Sequence, residues 1–204
     1  MVSFGEYFND TGIWSHYCGG AIVAPNVVVT AAHCFFKKQR GAGYNRLTKI
    51  RTGDQNFTDD SDDDLVAMYE ISSIIKHPGY RGYGARNDLA IVYTERQIQY
   101  NDRTNPILLP SINNPLREQN TNYSAKFTGY GYYDDTLVAS DALREADFTI
   151  FTGSYCEPLF GHKKIKENLV NTSLLICAGT DVSKICKHFF QRRLIILIIQ
   201  SFIG

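Results

Sequence analysis

Short runs of β-branched and aromatic residues, each bounded by turn residues, are the feature that most constrains the fold of this chain. Such runs favour strands over helices. They occur at 21–23, 27–30, 71–75, 89–93, 125–128 and 148–151. Turn signals such as Pro25-Asn26 and Asn101-Asp102 separate them, and no segment sustains a helical period. The sequence therefore predicts an all-β fold, either a barrel or a sandwich.

The charge balance excludes two classes of partner. The 204 residues contain 21 lysines and arginines against 21 aspartates and glutamates. Without a net field to attract polyanions, we expect neither nucleic acid nor an anionic membrane surface as a partner. The longest apolar run, 194–199 extended through Phe202, is only about half of a bilayer span, so it does not predict a transmembrane helix.

Metal-binding patterns are weak. The acidic run at 59–64 predicts a solvated loop, because the glycine and distal glutamate of a calcium loop are missing. The histidines also lack the spacing of metal ligands; they are His16, His33, His77, His162 and His188. We therefore expect no metal and no cofactor.

Cysteines and glycosylation sequons point to a secreted protein. The chain has five cysteines, spaced like a disulfide framework. Four Asn-x-Ser/Thr sequons begin at Asn9, Asn56, Asn122 and Asn171. Residues 1–14 lack a basic region followed by an apolar one, so the sequence predicts no signal peptide within them.

Two segments near the N-terminus carry the first chemical signal. Residues 17–22 have the sequence Y-C-G-G-A-I, and a hairpin leads from them to T-A-A-H-C at 30–34. This pattern resembles the trypsin-like serine endopeptidase family, in which the two motifs have this separation. The resemblance implies a disulfide between Cys18 and Cys34 that holds the histidine loop against its strand. It also implies that His33 is the general base of a catalytic triad.

Further motifs follow in the order the family has them. The segment N-D-L-A-I at 87–91 implies that Asp88 orients His33 and stabilises the imidazolium formed during acyl transfer. I-L-L-P at 107–110 and T-G-Y-G at 128–131 also match, with Tyr130 where the family usually has tryptophan. Y-C at 155–156 and I-C-A-G at 176–179 imply a second disulfide, Cys156–Cys177.

The resemblance covers residues 2–180 and implies a particular architecture. The family fold is two six-stranded antiparallel Greek-key barrels, with the triad in the cleft between them. We expect residues 1–105 to form the first barrel, which carries His33 and Asp88, and residues 106–180 to form an incomplete second barrel. Residues 181–204 are expected to be a divergent, non-homologous tail.

The family pattern stops after Gly179. The family continues with C-x-G-D-S-G-G-P, whereas residues 180–190 are T-D-V-S-K-I-C-K-H-F-F. The missing segment supplies the nucleophilic serine and the backbone amides of the oxyanion hole. Ser183 is the nearest serine, but no glycine flanks it, which argues against a displaced nucleophile. The sequence predicts no proteolysis by this chain and leaves Cys186 without a partner.

Two origins for the tail and two functions remain open. A retained intron starting near Val182, or a frameshift just after Cys186, would each produce such a tail. Residues 1–4 align with the strand that follows the family's I-V-G-G segment, so we also expect the N-terminus to be shortened. The preferred function is that of a secreted endopeptidase acting on protein or peptide substrates. The alternative is a non-catalytic homologue that binds a partner through loops such as 36–47 and 54–66.

Overall fold

The computed structural model describes residues 1–35, 47–59, 64–81, 87–109, 123–131, 139–151 and 177–179, and their regular structure is almost entirely strand. A short 3-10 helix spans Ala32–Phe35. The strands are β1 Val2–Phe8, β2 Ile13–Ala24, β3 Val27–Thr30, β4 Lys49–Thr52, β5 Ala67–Lys76, β6 Ala90–Thr94, β7 Tyr123–Gly129, β8 Arg144–Phe151 and β9 Cys177–Gly179. The predicted all-β class is confirmed. Within the described ranges, no helix is long and apolar enough to cross a membrane.

Six of the strands close into a barrel in the order β1-β2-β3-β6-β5-β4. Every neighbouring pair is antiparallel. Side chains alternate between the two faces of a strand, so Val28 and Thr30 of β3 point into the barrel together with Val92 and Thr94 of β6. The core inside the barrel is aliphatic and aromatic, with Phe4, Ile22, Ile50 and Tyr69 among its fully buried side chains.

Cross-strand pairing makes several strands longer than the predicted runs. β2 begins at Ile13 and β5 begins at Ala67, well before the apolar runs at 21–23 and 71–75. The residues at these ends are strand because β1 and β4 pair with them. β1 itself lies outside the predicted runs, since Gly5 and Glu6 interrupt its apolar residues, yet it pairs with β2 on one side and β4 on the other.

The remaining strands form a separate three-stranded antiparallel sheet, β7-β8-β9. It lies within the 106–180 range expected for the second barrel. Cys156, Cys186, Asn122, Asn171, Ser183 and the tail at 181–204 lie outside the described residues.

The loop after β4 joins the barrel to this sheet. Asn56 forms a β-bridge with Ala142, and the Leu143 amide donates to the Gln55 carbonyl over 2.7 Å. The Phe57 ring packs on the Tyr130 ring with 4.3 Å between centroids. The half-buried His16 ring packs against both aromatic rings. We call these three rings the aromatic cluster.

Further hydrogen bonds fix the aromatic cluster to the loop and to β1. The Tyr130 hydroxyl donates to the Asp54 carbonyl, and burial, followed by the Asp54 carboxylate, raises the pKa of the Tyr130 phenol. The Trp14 indole donates to Ser3 Oγ over 2.8 Å, and the same Ser3 hydroxyl forms a hydrogen bond with His16 Nδ1 at 2.7 Å. Burial lowers the pKa of His16 from 6.5 to about 4, so this imidazole is neutral.

The buried, neutral His16 predicts a loss of stability in mild acid. Its folded-state pKa of about 4 lies below the value of 6.5 for the exposed ring. Below pH 6.5 the unfolded chain therefore binds a proton that the folded chain does not. Lowering the pH from 7 to 5 should reduce the free energy of unfolding by about 2 kcal/mol.

Urea unfolding of the wild type and of His16→Gln at both pH values measures this effect. The variant should lose about 2 kcal/mol of the pH dependence between 7 and 5. The part contributed by the buried Met1 amino group, whose pKa burial also lowers, should remain in both proteins. An equal pH dependence in the two proteins would show that His16 is not the responsible group.

Candidate active site

The T-A-A-H-C motif places His33 on the 3-10 helix just after β3. The Thr30 hydroxyl donates to the Gly19 carbonyl over 2.7 Å, which ties the end of β3 to β2. The Cys34 amide donates to the Ala31 carbonyl and closes the helical turn. Ala32 is fully buried. It packs with Tyr80 and Ala90, so this side of the helix lies against the barrel.

A disulfide between Cys18 and Cys34 holds this helix against β2. Both cysteines are buried, and their Cα atoms are 6.3 Å apart. The pairing implied by the family resemblance is confirmed. The ligand atoms of Cys18, His33 and Cys34 lie within 4.8 Å of one another, but the disulfide uses both thiolates that a metal ion would require.

The second glycine of the C-G-G motif is required by close packing. A Cβ atom at Gly20 would lie 2.7 Å from the Phe4 ring and 3.0 Å from the Val29 carbonyl oxygen. No larger residue fits without moving β1 or β3. The glycine thus allows β2 to lie close to Phe4 of β1 and to β3.

Barrel register brings Asp88 beside His33. Thr30 of β3 pairs with Ala90 of β6 in the antiparallel ladder. His33 follows the end of β3 by three residues and Asp88 precedes the start of β6 by two, so both lie at the same edge of the barrel. Residues 55 positions apart in the sequence therefore become neighbours.

Two hydrogen bonds join the pair. The backbone amide of His33 donates to Asp88 Oδ1 over 2.7 Å, and His33 Nδ1 lies 2.7 Å from Asp88 Oδ2. A carboxylate beside Nδ1 selects the tautomer that carries its proton there, which leaves Nε2 unprotonated. The Asp88 side chain is 3% exposed and the His33 side chain 16%. The pair can therefore accept a proton at Nε2 and stabilise the resulting imidazolium through a buried carboxylate.

One residue that packs beside the His33–Asp88 pair has no recognisable signal in the sequence. Tyr80 is buried and packs with Ala32, beside His33, and with Ala90, close to Asp88. The turn signal at Gly79 predicts a change of chain direction, but nothing in the sequence shows that the next aromatic ring would pack between the two segments that carry the pair.

The two described sequons differ in their surroundings. Asn9 is exposed at the turn between β1 and β2. Asn56 is half-buried in the loop that joins the barrel to the second sheet, and its Oδ1 accepts hydrogen bonds from the amide and the hydroxyl of Thr58.

Comparison with known proteins gives a consistent result. A family model described as Trypsin matches residues 4–187. The chain is 31% identical over 156 residues to a venom serine protease of Polistes dominula, and the match covers 76% of this chain and 54% of that protein. It is 28% identical to the clotting factor G beta subunit of Tachypleus tridentatus, over 79% of this chain and 50% of that protein. The chain spans about half the length of these curated relatives.

A solved structure extends the comparison to the fold. Neuropsin, described as a serine protease expressed in the limbic system of mouse brain, superimposes with a TM-score of 0.63 at 20% identity. The superposition covers 81% of this chain and 65% of neuropsin. At this identity the likeness concerns the fold, and it agrees with an architecture of one closed barrel followed by a second sheet.

The Cys18–Cys34 disulfide predicts a measurable loss when it is removed. The bridge closes a loop of sequence separation 16, which stabilises the fold by about 3 kcal/mol through the restricted unfolded chain. The double variant Cys18→Ala/Cys34→Ala should lose about this much in urea unfolding. Cys186→Ala is the matched control, since the sequence predicts no partner for Cys186, and it should unfold like the wild type. A loss below about 1 kcal/mol in the double variant would contradict the prediction.

Proposed function

Because the chain belongs to the trypsin family of serine proteases, we propose that it carries the acid–base half of an endopeptidase active site, with His33 as general base and Asp88 as its orienting carboxylate. The observation that supports this most directly is the pair of 2.7 Å contacts from the His33 amide and from Nδ1 to the two Asp88 oxygens. Together they set both the position and the tautomer of the ring.

This arrangement suits peptide-bond hydrolysis through a serine nucleophile. Nε2 of His33 would remove the proton from a serine hydroxyl as its oxygen attacks the substrate carbonyl carbon. The same nitrogen would then return that proton to the amine leaving group when the carbon–nitrogen bond breaks. Asp88 keeps its negative charge and stabilises the imidazolium between the two transfers.

The 204 residues contain no candidate for the nucleophilic serine. They contain no GDSGG segment, and Ser183 stands between valine and lysine with no adjacent glycine. A turn that aims backbone amides at an oxyanion therefore has no sequence basis here. Losing the nucleophile of a triad costs about six orders of magnitude in rate, so we infer that this sequence does not hydrolyse peptide bonds at a useful rate.

The second candidate, a non-catalytic binding homologue, is favoured by the same missing segment. The retained pair opposes it, since burying a carboxylate costs free energy and a scaffold has no chemical need for it. One of the two loops considered for partner binding already contacts other parts of this chain. In residues 54–58, Asn56 pairs with Ala142 just before β8, and Phe57 packs on Tyr130 just after β7. This part of the loop therefore has an internal packing role.

We infer protein or peptide substrates for the complete active site and an extracellular location. The named relatives include a venom protease and a clotting factor subunit. A buried disulfide persists in oxidising compartments, where secreted proteins are found. The proposed chemistry requires only side chains and backbone amides, so no cofactor enters it.

A chimera tests the proposed roles. Residues 180–204 are replaced by the corresponding segment, with its GDSGG motif, of a trypsin-family protease, and the N-terminal I-V-G-G segment of the same protease is placed before residue 1. Hydrolysis of labelled casein is then measured. The chimera should be active, and Asp88→Asn should lower kcat about 10⁴-fold by selecting the wrong tautomer. His33→Ala should lower kcat about 10⁶-fold. The wild-type chain should show only background hydrolysis, and activity that His33→Ala abolishes would disprove the inference about the nucleophile.

A second readout applies if the chimera does not fold. Long-range ¹H–¹⁵N spectra of the histidine rings in the wild-type chain report which nitrogen carries the proton. His33 should be protonated at Nδ1, and Asp88→Asn should shift the ring toward the other tautomer. A His33 ring protonated mainly at Nε2 would contradict the proposed orientation.

Asn9 is the sequon that we predict to be glycosylated when the chain passes through a secretory pathway. It is exposed at a turn, and a glycan there meets solvent. Peptide N-glycosidase should reduce the mass of the secreted protein, and Asn9→Gln and Thr11→Ala should each remove the contribution of one glycan. Asp10→Asn keeps the sequon and should keep the glycan. An Asn9→Gln protein whose glycan content equals that of the wild type would contradict the assignment.

A further inference from the structure

We propose that Asn87 is a positioning residue for the His33–Asp88 pair. Its side-chain amide, bonded to the Gly79 carbonyl, holds the backbone just before Asp88 in a left-handed conformation that aims the Asp88 carboxylate at His33. The catalytic consequence rests on the proposed function, whereas the structural part concerns only the geometry of the pair.

The backbone at Asn87 has an unusual conformation. Its φ of 55° lies in the left-handed region, and among the described residues no other non-glycine has a positive φ. Asparagine tolerates this region better than most residues because its short polar side chain can form local hydrogen bonds. The Leu89 amide donates to the Asn87 carbonyl over 2.9 Å, so the chain turns tightly around Asp88. The direction of the carboxylate thus depends on the conformation at Asn87.

The Asn87 side chain is anchored to a neighbouring segment. Its Nδ2 donates to the Gly79 carbonyl over 3.2 Å. A Cβ atom at position 79 would lie 2.6 Å from Asn87 Nδ2, so only glycine leaves room for this approach. The contact therefore depends on the side-chain amide at position 87 and on the absence of a side chain at position 79.

Gly79 belongs to a turn, residues 77–80, that is itself fixed on several sides. The Gly79 amide donates to His77 Nδ1 over 3.0 Å, and the His77 amide donates to the Leu89 carbonyl over 2.8 Å. Tyr80, the last residue of the turn, packs against Ala32 and Ala90. The 77–80 turn therefore contacts the segments on both sides of the pair and provides a firm anchor for Asn87.

The environment of Asp88 makes the pair sensitive to this anchor. The Asp88 side chain is almost completely buried, and its two oxygens face two different donors on His33. A rotation of the backbone at Asn87 would move both oxygens together. Hydrogen bonds weaken steeply when their distance and angle depart from the ideal, so a small rotation affects the Nδ1 contact directly.

The test compares Asn87→Gly with Asn101→Gly in the full chain. Glycine at 87 can keep the positive φ but removes the donor to Gly79. Asn101 is the matched control, because its Nδ2 also donates to a backbone carbonyl, that of Leu65, over 3.2 Å in another turn. The readouts are the tautomer of the His33 ring and the rate at which its Nδ1 proton exchanges with solvent. Circular dichroism and mass mapping of the Cys18–Cys34 disulfide check that each variant is folded.

We expect Asn87→Gly to accelerate exchange of the Nδ1 proton by about fivefold, the factor that corresponds to one lost hydrogen bond, and to increase the fraction of the other tautomer. Asn101→Gly should leave both readouts at wild-type values. Unchanged readouts in Asn87→Gly would overturn the proposal. Equal changes in the two variants would also overturn it, because they would reflect a general loss of stability.

Catalytic activity of the chimera provides a second, independent test of the proposal. In the GDSGG-containing chimera, Asn87→Gly should lower kcat and leave KM unchanged, because the residue acts through Asp88 and touches no substrate. An increase in KM with unchanged kcat would overturn the catalytic part. If a chimera that is folded by circular dichroism is inactive with Asn87 intact, the proposed function fails, and the ring spectra of the 204-residue chain still decide the role of Asn87.

Discussion

Asp88 is buried, and a buried carboxylate is tolerated only where hydrogen-bond donors surround it. His33 supplies two of these donors, its backbone amide and its Nδ1 atom, each at 2.7 Å. The strands and turns around the pair bring His33 and Asp88 to within hydrogen-bond distance of each other. β3 and β6 pair so that the chain leaving one strand and the chain entering the other meet at the same barrel edge.

Several constraints keep the histidine segment in place. The Cys18–Cys34 disulfide ties it to β2, and the Thr30 hydroxyl ties the end of β3 to Gly19 on the same strand. Tyr80, in the turn after β5, packs with Ala32. These contacts come from β2 and from the turn that follows β5, so the position of His33 depends on both segments. The loop after β4 also connects the barrel to the second half of the chain, because its Phe57 ring packs on Tyr130, which follows β7.

Much of the candidate site could be predicted because motif residues have local physical requirements. Gly20 must be glycine where β2 lies against Phe4, and Cys18 and Cys34 must face each other. The apolar runs likewise predicted β3, most of β6 and the C-terminal parts of β2 and β5. β1 and β4 were not predicted from such runs, since they are strands because of their neighbours. The roles of Tyr80, and of His16 in the aromatic cluster, depend on contacts between segments far apart in the chain.

By itself, the sequence determined the all-β class, the Cys18–Cys34 pairing through its family resemblance, and the residue types that an acid–base pair requires. The all-β class follows from side-chain chemistry and short-range spacing, whereas the disulfide pairing and the acid–base pair are what the family resemblance implies. Only the tertiary structure decided that Asp88 reaches both the amide and the ring of His33, that Asn87 adopts a left-handed conformation against Gly79, and that His16 is neutral. Each of these depends on strand register and burial. Both arise only when the barrel closes and brings together segments that are far apart in the sequence.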